Sequence, residues 1–158
     1  MTTLLALDIG GTKVGWGIVE AGDTYEVTER GSIPTDAMRG GADVAARICE
    51  LASSLVASHP SVSGVAVASA GVVNPATGDI VSATGTMPGW GGTRLGAQLE
   101  AATGLRVRVL NDVHAHGLGE ATLGAGQPYR IVLSIAVGTG IGGALVEEGR
   151  VAFGSRGI

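Results

Sequence analysis

The chain has 158 residues, 45% of them hydrophobic and 15% charged, with a net charge of −4, a pI near 5.2 and a mean hydropathy of +0.37. This composition excludes a disordered or collagen-like chain, and the length suits about one domain on a prior of ~100–200 residues per domain. Lys13 is the only lysine and no basic stripe exists, which excludes the electrostatic face that a nucleic-acid partner needs.

Residues 4–9 read as a buried strand and 14–20 as its hairpin partner, followed by a turn at Glu20-Ala21-Gly22-Asp23 and a third strand at 25–33. Val44, Ile48, Leu51, Leu55 and Val56 recur at helical spacing, which predicts an amphipathic helix over 42–58, ended by His59-Pro60. Val65 to Ala68 is of strand length, and Asn74 to Asp79 has loop chemistry. Leu95, Leu99 and Ala102 predict a second helix over 93–103, closed by Gly104. A strand at 107–110 leads to a helix from Asn111-Asp112 to about Leu123, for which Asp112 reads as the N-cap. Strands follow at 131–137, 142–147 and 150–153. This order predicts an α/β fold with a mixed five-stranded sheet and helices, plus the first hairpin strands of a second, similar lobe. The expected boundaries are 1–117 and 118–158. In the second lobe Ile131, Leu133, Ile135 and Leu145 form an apolar face with no helix of its own to cover it.

Two glycine turns look like copies of one another. Asp8-Ile9-Gly10-Gly11-Thr12-Lys13 follows the apolar run Leu4 to Leu7, and Gly138-Thr139-Gly140-Ile141-Gly142-Gly143 follows Ile131 to Val137. A loop that wraps a polyphosphate must bring backbone N–H groups close to oxygen, and glycine permits both that approach and a positive φ. A tight β-hairpin also favours glycine, but two matching turns, each with Thr after Gly, point to phosphate. A strand follows each turn, so neither is a Rossmann fingerprint, which needs a helix there, and neither carries the Lys-Ser/Thr of a Walker loop. Asp8 at the mouth of the first turn suits Mg²⁺ held through water; its alternative is a carboxylate bonding the turn amides.

Asn111-Asp112 closes a strand and opens a helix, the end of an open α/β sheet where ligands gather. Asp112 can take the proton of a hydroxyl attacking a γ-phosphate, and can equally cap the helix. Asp112, His116 and Glu120 share one helical face, as a metal triad or as a solvated face. Cys49 reads as a small core residue. It cannot form an internal disulfide, which fits a reducing compartment. The longest apolar stretch, 62–73, is too short for a bilayer, and no signal peptide is present, so a cytoplasmic location without membrane attachment is expected.

These motifs together resemble the ROK family of sugar kinases and repressors. Leu7 to Lys13 is similar to the family's first phosphate motif, Leu110 to Glu120 to its central motif, and Val137 to Gly143 to its second phosphate motif. Ser69-Ala70-Gly71-Val72-Val73 and Met87-Pro88-Gly89-Trp90 resemble its sugar-side loops. The resemblance implies the actin-like, ribonuclease-H-like ATPase fold and ATP-dependent phosphorylation of a hexose, with glucose the first expectation. It implies Asp112 as general base, and Asn111, Gly71 and Glu120 on the sugar side. It further implies Asp8 as partner of Mg-ATP, with Gly10, Gly11, Thr12, Lys13, Gly138, Thr139 and Gly140 around the phosphates. A homodimer is also implied.

The chain departs from the family pattern in places. Val113-His114 stands where the central motif often reads Ala-Asn, and Thr86 where some members carry a sugar-contacting Asn. The family's Gly-His sugar motif, cysteine-rich zinc site and adenosine pocket would fall beyond Ile158, so any zinc belongs there, and the chain reads as the N-terminal half of a longer kinase. The sequence opens directly in a strand where repressor members carry a helix-turn-helix, so a DNA-binding member is not expected unless that part too is missing. Two alternatives remain: a non-catalytic half-domain that binds sugar or a partner, and an actin-like ATPase without a sugar substrate.

Overall fold

A computed structural model describes residues 1–137 and 141–154. They form two compact units that divide between Leu110 and Asn111.

The first unit opens with β1 (Thr2–Ile9), β2 (Lys13–Ala21) and β3 (Tyr25–Pro34), an antiparallel meander whose register pairs Leu5 with Ile18 and Leu7 with Trp16. A 3₁₀ turn at Ala37–Arg39, unforeseen in the sequence, leads into α1 (Gly41–Ser58). The chain then returns as β4 (Val62–Ser69), parallel to β1, with Leu7 beside Val67. A two-stranded hairpin follows, β5 (Val72–Val73) with β6 (Ile80–Ser82), its short strands unforeseen on either side of the loop expected at Asn74 to Asp79. Next come α2 (Leu95–Thr103) and β7 (Arg106–Asn111), giving a sheet of order β3-β2-β1-β4-β7. The expected five-stranded mixed sheet is therefore present.

Strand alternation decides which face is buried. Leu5, Leu7 and Ile9 of β1, Val14 and Ile18 of β2, and Val65 and Val67 of β4 are buried in one core with Val44, Ile48, Ala52 and Leu55 of α1 and Leu95 and Leu99 of α2. Each of these Val, Leu and Ile side chains contributes about 1.5–3 kcal/mol of burial. Trp90 is fully buried in the same core, and its indole N–H reaches Ser69 Oγ at 3.3 Å and the Ala70 carbonyl at 3.2 Å. One aromatic thereby ties the 69–73 segment to the 87–90 segment.

The start of α1 is set by close backbone approach. Gly41 donates its N–H to the Pro88 carbonyl at 2.7 Å, and a Cβ on Gly41 would collide with the Gly89 carbonyl. A larger residue there would have to push the 87–90 loop off the helix.

The second unit holds α3 (Asp112–Thr122) and the sheet β10-β9-β8, with β8 at Ile131–Val137, β9 at Ile141–Glu147 and β10 at Arg150–Val151. α3 lies close against it because small residues meet: a Cβ on Gly117 would stand 2.5 Å from Ala144 Cβ. The opposite face is open, as its sequence pattern implied. Ile131, Leu133, Ile135, Val137 and Ile141 are between 60% and 80% exposed. No described helix is long and apolar enough to cross a membrane.

Candidate active site

The first glycine turn joins β1 to β2 in the first unit. Gly10 donates its N–H to the Lys13 carbonyl at 3.0 Å and closes a tight hairpin loop. Neither Gly10 nor Gly11 has a positive φ, so the conformational argument for glycine does not apply at this turn. The approach argument does. A Cβ on Gly11 would meet nothing within 4 Å, so no protein contact demands glycine there. The N–H groups of Gly11 and Thr12 donate to no group among the described residues, and the three residues 11–13 are exposed. Unpaired amides on an exposed turn are donors suited to anions.

Asp8 sits one residue before the end of β1, opposite Gly15 of β2 and Ala68 of β4. Its carboxylate is exposed and accepts no hydrogen bond from the turn, so the alternative of an Asp bonding the turn amides is not realised. An open carboxylate would hold a water-coordinated Mg²⁺, and the unpaired amides beside it suit the phosphate oxygens whose charge that ion would offset. From Asp8 and Lys13 a groove of about 690 Å³ runs over Gly15 and Gly17 toward Val19 and Val27.

In the second unit Asn111 and Asp112 are brought together at the N-terminus of α3. Asn111 is the N-cap, in extended conformation at φ −61° and ψ 145°, and its Oδ1 accepts the N–H groups of Val113 at 3.0 Å and His114 at 3.1 Å. This corrects the expectation that Asp112 caps the helix. Asp112 is the first helical residue, so the side chain that reaches back over the exposed amides is that of Asn111. Asp112 Oδ1 accepts from Asn111 Nδ2 and from its neighbour Val113 N–H, both at 2.9 Å. Its Oδ2 accepts from no described residue. One carboxylate oxygen is thus anchored and the other is open, with the positive end of the helix dipole beneath.

Other expected residues lie elsewhere. Gly71 has φ +99°, and a Cβ there would stand 2.8 Å from the Ser82 carbonyl, so the β5–β6 hairpin itself requires glycine. Glu120 is two turns beyond Asp112 on α3, about 12 Å along the axis. Among the described residues no group of three His, Cys, Asp or Glu side chains converges to hold a metal, so Asp112, His116 and Glu120 do not form a triad. Gly138, Thr139 and Gly140 lie outside the described residues. β8 and β9 flank them as an antiparallel pair, Val137 opposite Ile141, just as β1 and β2 flank the first turn.

Two features escaped the sequence reading. His114 is buried at 8% exposure, its ring edge-on to Phe153 at 5.6 Å. Burial pushes its pKa below the ordinary histidine value, with the charge of Asp112 opposing that shift. Thr35 is fully buried although polar, and its position after the β3 strand run, in Pro34-Thr35-Asp36, was the only signal.

Residues 4–158 match the family model described as ROK family. The chain is 34% identical over 153 residues to a beta-glucoside kinase of Listeria monocytogenes, covering 97% of this chain and 49% of that protein. It is 32% identical to a glucokinase of Halalkalibacterium halodurans, covering 98% of this chain and 47% of that one. Among solved structures, a ROK hexokinase from Thermus thermophilus superposes with a TM-score of 0.83 at 31% identity, over 99% of this chain and 50% of its own. A ROK family glucokinase from Streptomyces griseus, in complex with glucose and AMPPNP, gives a TM-score of 0.83 at 28% identity, over 99% and 48%. The chain spans about half the length of these relatives. It belongs to the ROK family, and its fold is the actin-like one that the motifs implied.

Proposed function

We propose that this member of the ROK family serves a sugar kinase that moves the γ-phosphoryl group of ATP to a hydroxyl of a hexose, glucose or a related sugar. The observation that carries the reading is the Asp112 carboxylate, with Oδ1 anchored by two donors and Oδ2 open. The kinase relatives and the nucleotide- and sugar-bound neighbour support it.

In this reading Oδ2 of Asp112 takes the proton of the sugar hydroxyl as that oxygen attacks the γ-phosphorus. The bond from the γ-phosphorus to the bridging oxygen breaks, ADP leaves, and the proton passes from Asp112 to solvent. The chemistry is mostly positioning and charge stabilisation. Amides of Gly11 and Thr12 and the side chain of Lys13, with Gly138, Thr139 and Gly140 of the second turn, would hold phosphate oxygens, and Gly10 would close the turn through its bond to the Lys13 carbonyl. Asp8 would hold Mg²⁺ through water, and the ion when bound offsets phosphate charge. Asn111 would orient Asp112 and contact the sugar, with Gly71 and Glu120 also on the sugar side.

Coupled measurement of ADP release by the whole protein tests this. Asp112→Asn should reduce turnover by about 10²–10⁴-fold while sugar binding persists. Unchanged turnover would sink the assignment of the base.

The open face of β8 and β9 favours a second reading, a sugar- or partner-binding unit without turnover. Mg-ATP titration separates the two: micromolar binding counts against the second. Sugar-independent ATP hydrolysis would instead indicate an ATPase without a sugar substrate.

A further inference from the structure

The structure assigns to Thr35 the role of a positioning residue for the first phosphate turn, with Arg47 of α1 as its anchor. The inference rests on the reading of residues 10–13 as a phosphate site and adds how that site is held in shape.

Thr35 follows β3 and bonds the turn twice. Its backbone N–H donates to the Thr12 carbonyl at 3.0 Å, and its hydroxyl donates to the Gly10 carbonyl at 2.6 Å. In a trans peptide the C=O of one residue and the N–H of the next point in opposite directions. Holding the Gly10 carbonyl toward Thr35 therefore turns the Gly11 N–H away from it, and holding the Thr12 carbonyl does the same for the Lys13 N–H. One buried threonine fixes the sense of two peptide planes, and of the donors on their far edges the Gly11 N–H bonds no described residue.

Thr35 is itself fixed from the other side. The Arg47 guanidinium donates through Nη2 to the Thr35 carbonyl and through Nη1 to the Pro34 carbonyl, the latter at 3.0 Å. Arg47 Nε is held by Asp43 Oδ2 at 2.8 Å, one turn earlier on α1. A planar fork with fixed donors suits this task better than a flexible ammonium. The guanidinium adjoins Asp43 and Asp36, and Arg39 also pairs with Asp43. The path runs from α1 through Arg47 and Thr35 to the carbonyls of the turn. It places the turn at a fixed distance from a helix seated in the core, which a free hairpin loop would lack.

A threonine fully removed from water needs its hydroxyl paired, and Gly10 provides the acceptor. Valine in its place keeps the shape and removes the donor; serine keeps the donor and loses a methyl group. The two variants therefore separate the hydroxyl from the packing.

The test uses Thr35→Val and Thr35→Ser in the whole protein, with amide hydrogen exchange across residues 10–13 and separate titrations of Mg-ATP and glucose. Thr35→Val should weaken Mg-ATP binding by about 10-fold, leave glucose affinity within about 2-fold, and speed exchange at the Gly10 amide. Thr35→Ser should recover most of both losses. Mg-ATP affinity and exchange in Thr35→Val equal to those of the parent would overturn the assignment, as would equal losses in the two variants. If the parent itself fails to bind Mg-ATP, the kinase reading falls. Exchange then decides the positioning role alone: faster at Gly10 in the valine variant and restored in the serine variant upholds it, unchanged exchange refutes it.

Discussion

The side-chain amide of Asn111 donates to Oδ1 of Asp112 across 2.9 Å, while the other end of the same amide caps α3 through the N–H groups of Val113 and His114. One residue thereby supports both the helix and the carboxylate at its tip. The two tasks separate by mutation. Asn111→Ala removes the cap and should cost about 1 kcal/mol, together with a large loss of turnover. Asn111→Ser restores an acceptor for the helix amides but supplies no amide donor directed at Asp112. Thermal melts of the serine variant should therefore return toward the parent, while its kcat stays near that of the alanine variant. Recovery of both together would mean that Asn111 acts on stability alone.

Gly11 gives a cleaner contrast between fold and ligand. Its φ is not positive and its missing Cβ faces open space, so Gly11→Ala should change stability by less than about 0.5 kcal/mol. A phosphate approaching the Gly11 amide would meet the new methyl group, and Mg-ATP affinity should fall by about 10-fold, or about 1.4 kcal/mol. Calorimetric titration beside a denaturant melt reads both quantities. Undiminished Mg-ATP affinity would remove Gly11 from the phosphate site.

His59 links β3 to the end of α1 and should make the first unit's stability depend on pH. Its Nδ1 faces the Leu55 carbonyl at 2.8 Å and its Nε2 faces Glu29 Oε2 at 2.9 Å. The carbonyl first, and then the Glu29 carboxylate, raise its pKa above the ordinary 6.5. Because the folded chain binds this proton more tightly than the unfolded chain, the stabilisation is full below the unfolded pKa and fades as pH rises through the folded one. Melting the parent and His59→Gln between about pH 5.5 and about pH 8.5 should show a difference that is largest at the acid end and shrinks upward. A difference independent of pH would mean that the clasp does not depend on the imidazolium.

The sheet was legible because its strands alternate. Leu5, Leu7 and Ile9 announce a buried face on their own, and the 3.6-residue spacing of Val44, Ile48 and Leu55 announces the helix that covers it. The β5–β6 hairpin was not legible, since two- and three-residue strands are too short to show a period. The cap at α3 was misassigned between neighbours because Asn and Asp have nearly equal preference for that position, and only the backbone angles at 111 separate them. Thr35 was beyond reach for a different reason. Its partners lie 23 and 25 residues away at Thr12 and Gly10, and no local pattern encodes a hydrogen bond of that separation. The first glycine turn was visible through its repeat, although one of the two reasons for glycine there, a positive φ, does not apply.

The first two turns of α1 hold the 87–90 loop directly and the first glycine turn through Thr35. Gly41 grips the 87–90 loop through the Pro88 carbonyl, and Arg47 grips the segment that carries Thr35. The two grips are six positions apart, about 9 Å of helix. The helix therefore works as a gauge block: it sets the spacing between two loops that have no need to touch. A single residue inserted between Gly41 and Arg47 would swing the guanidinium by about 100° and release one loop while the other stayed clamped. What is under constraint at positions 42–46 is thus their number as much as their chemistry.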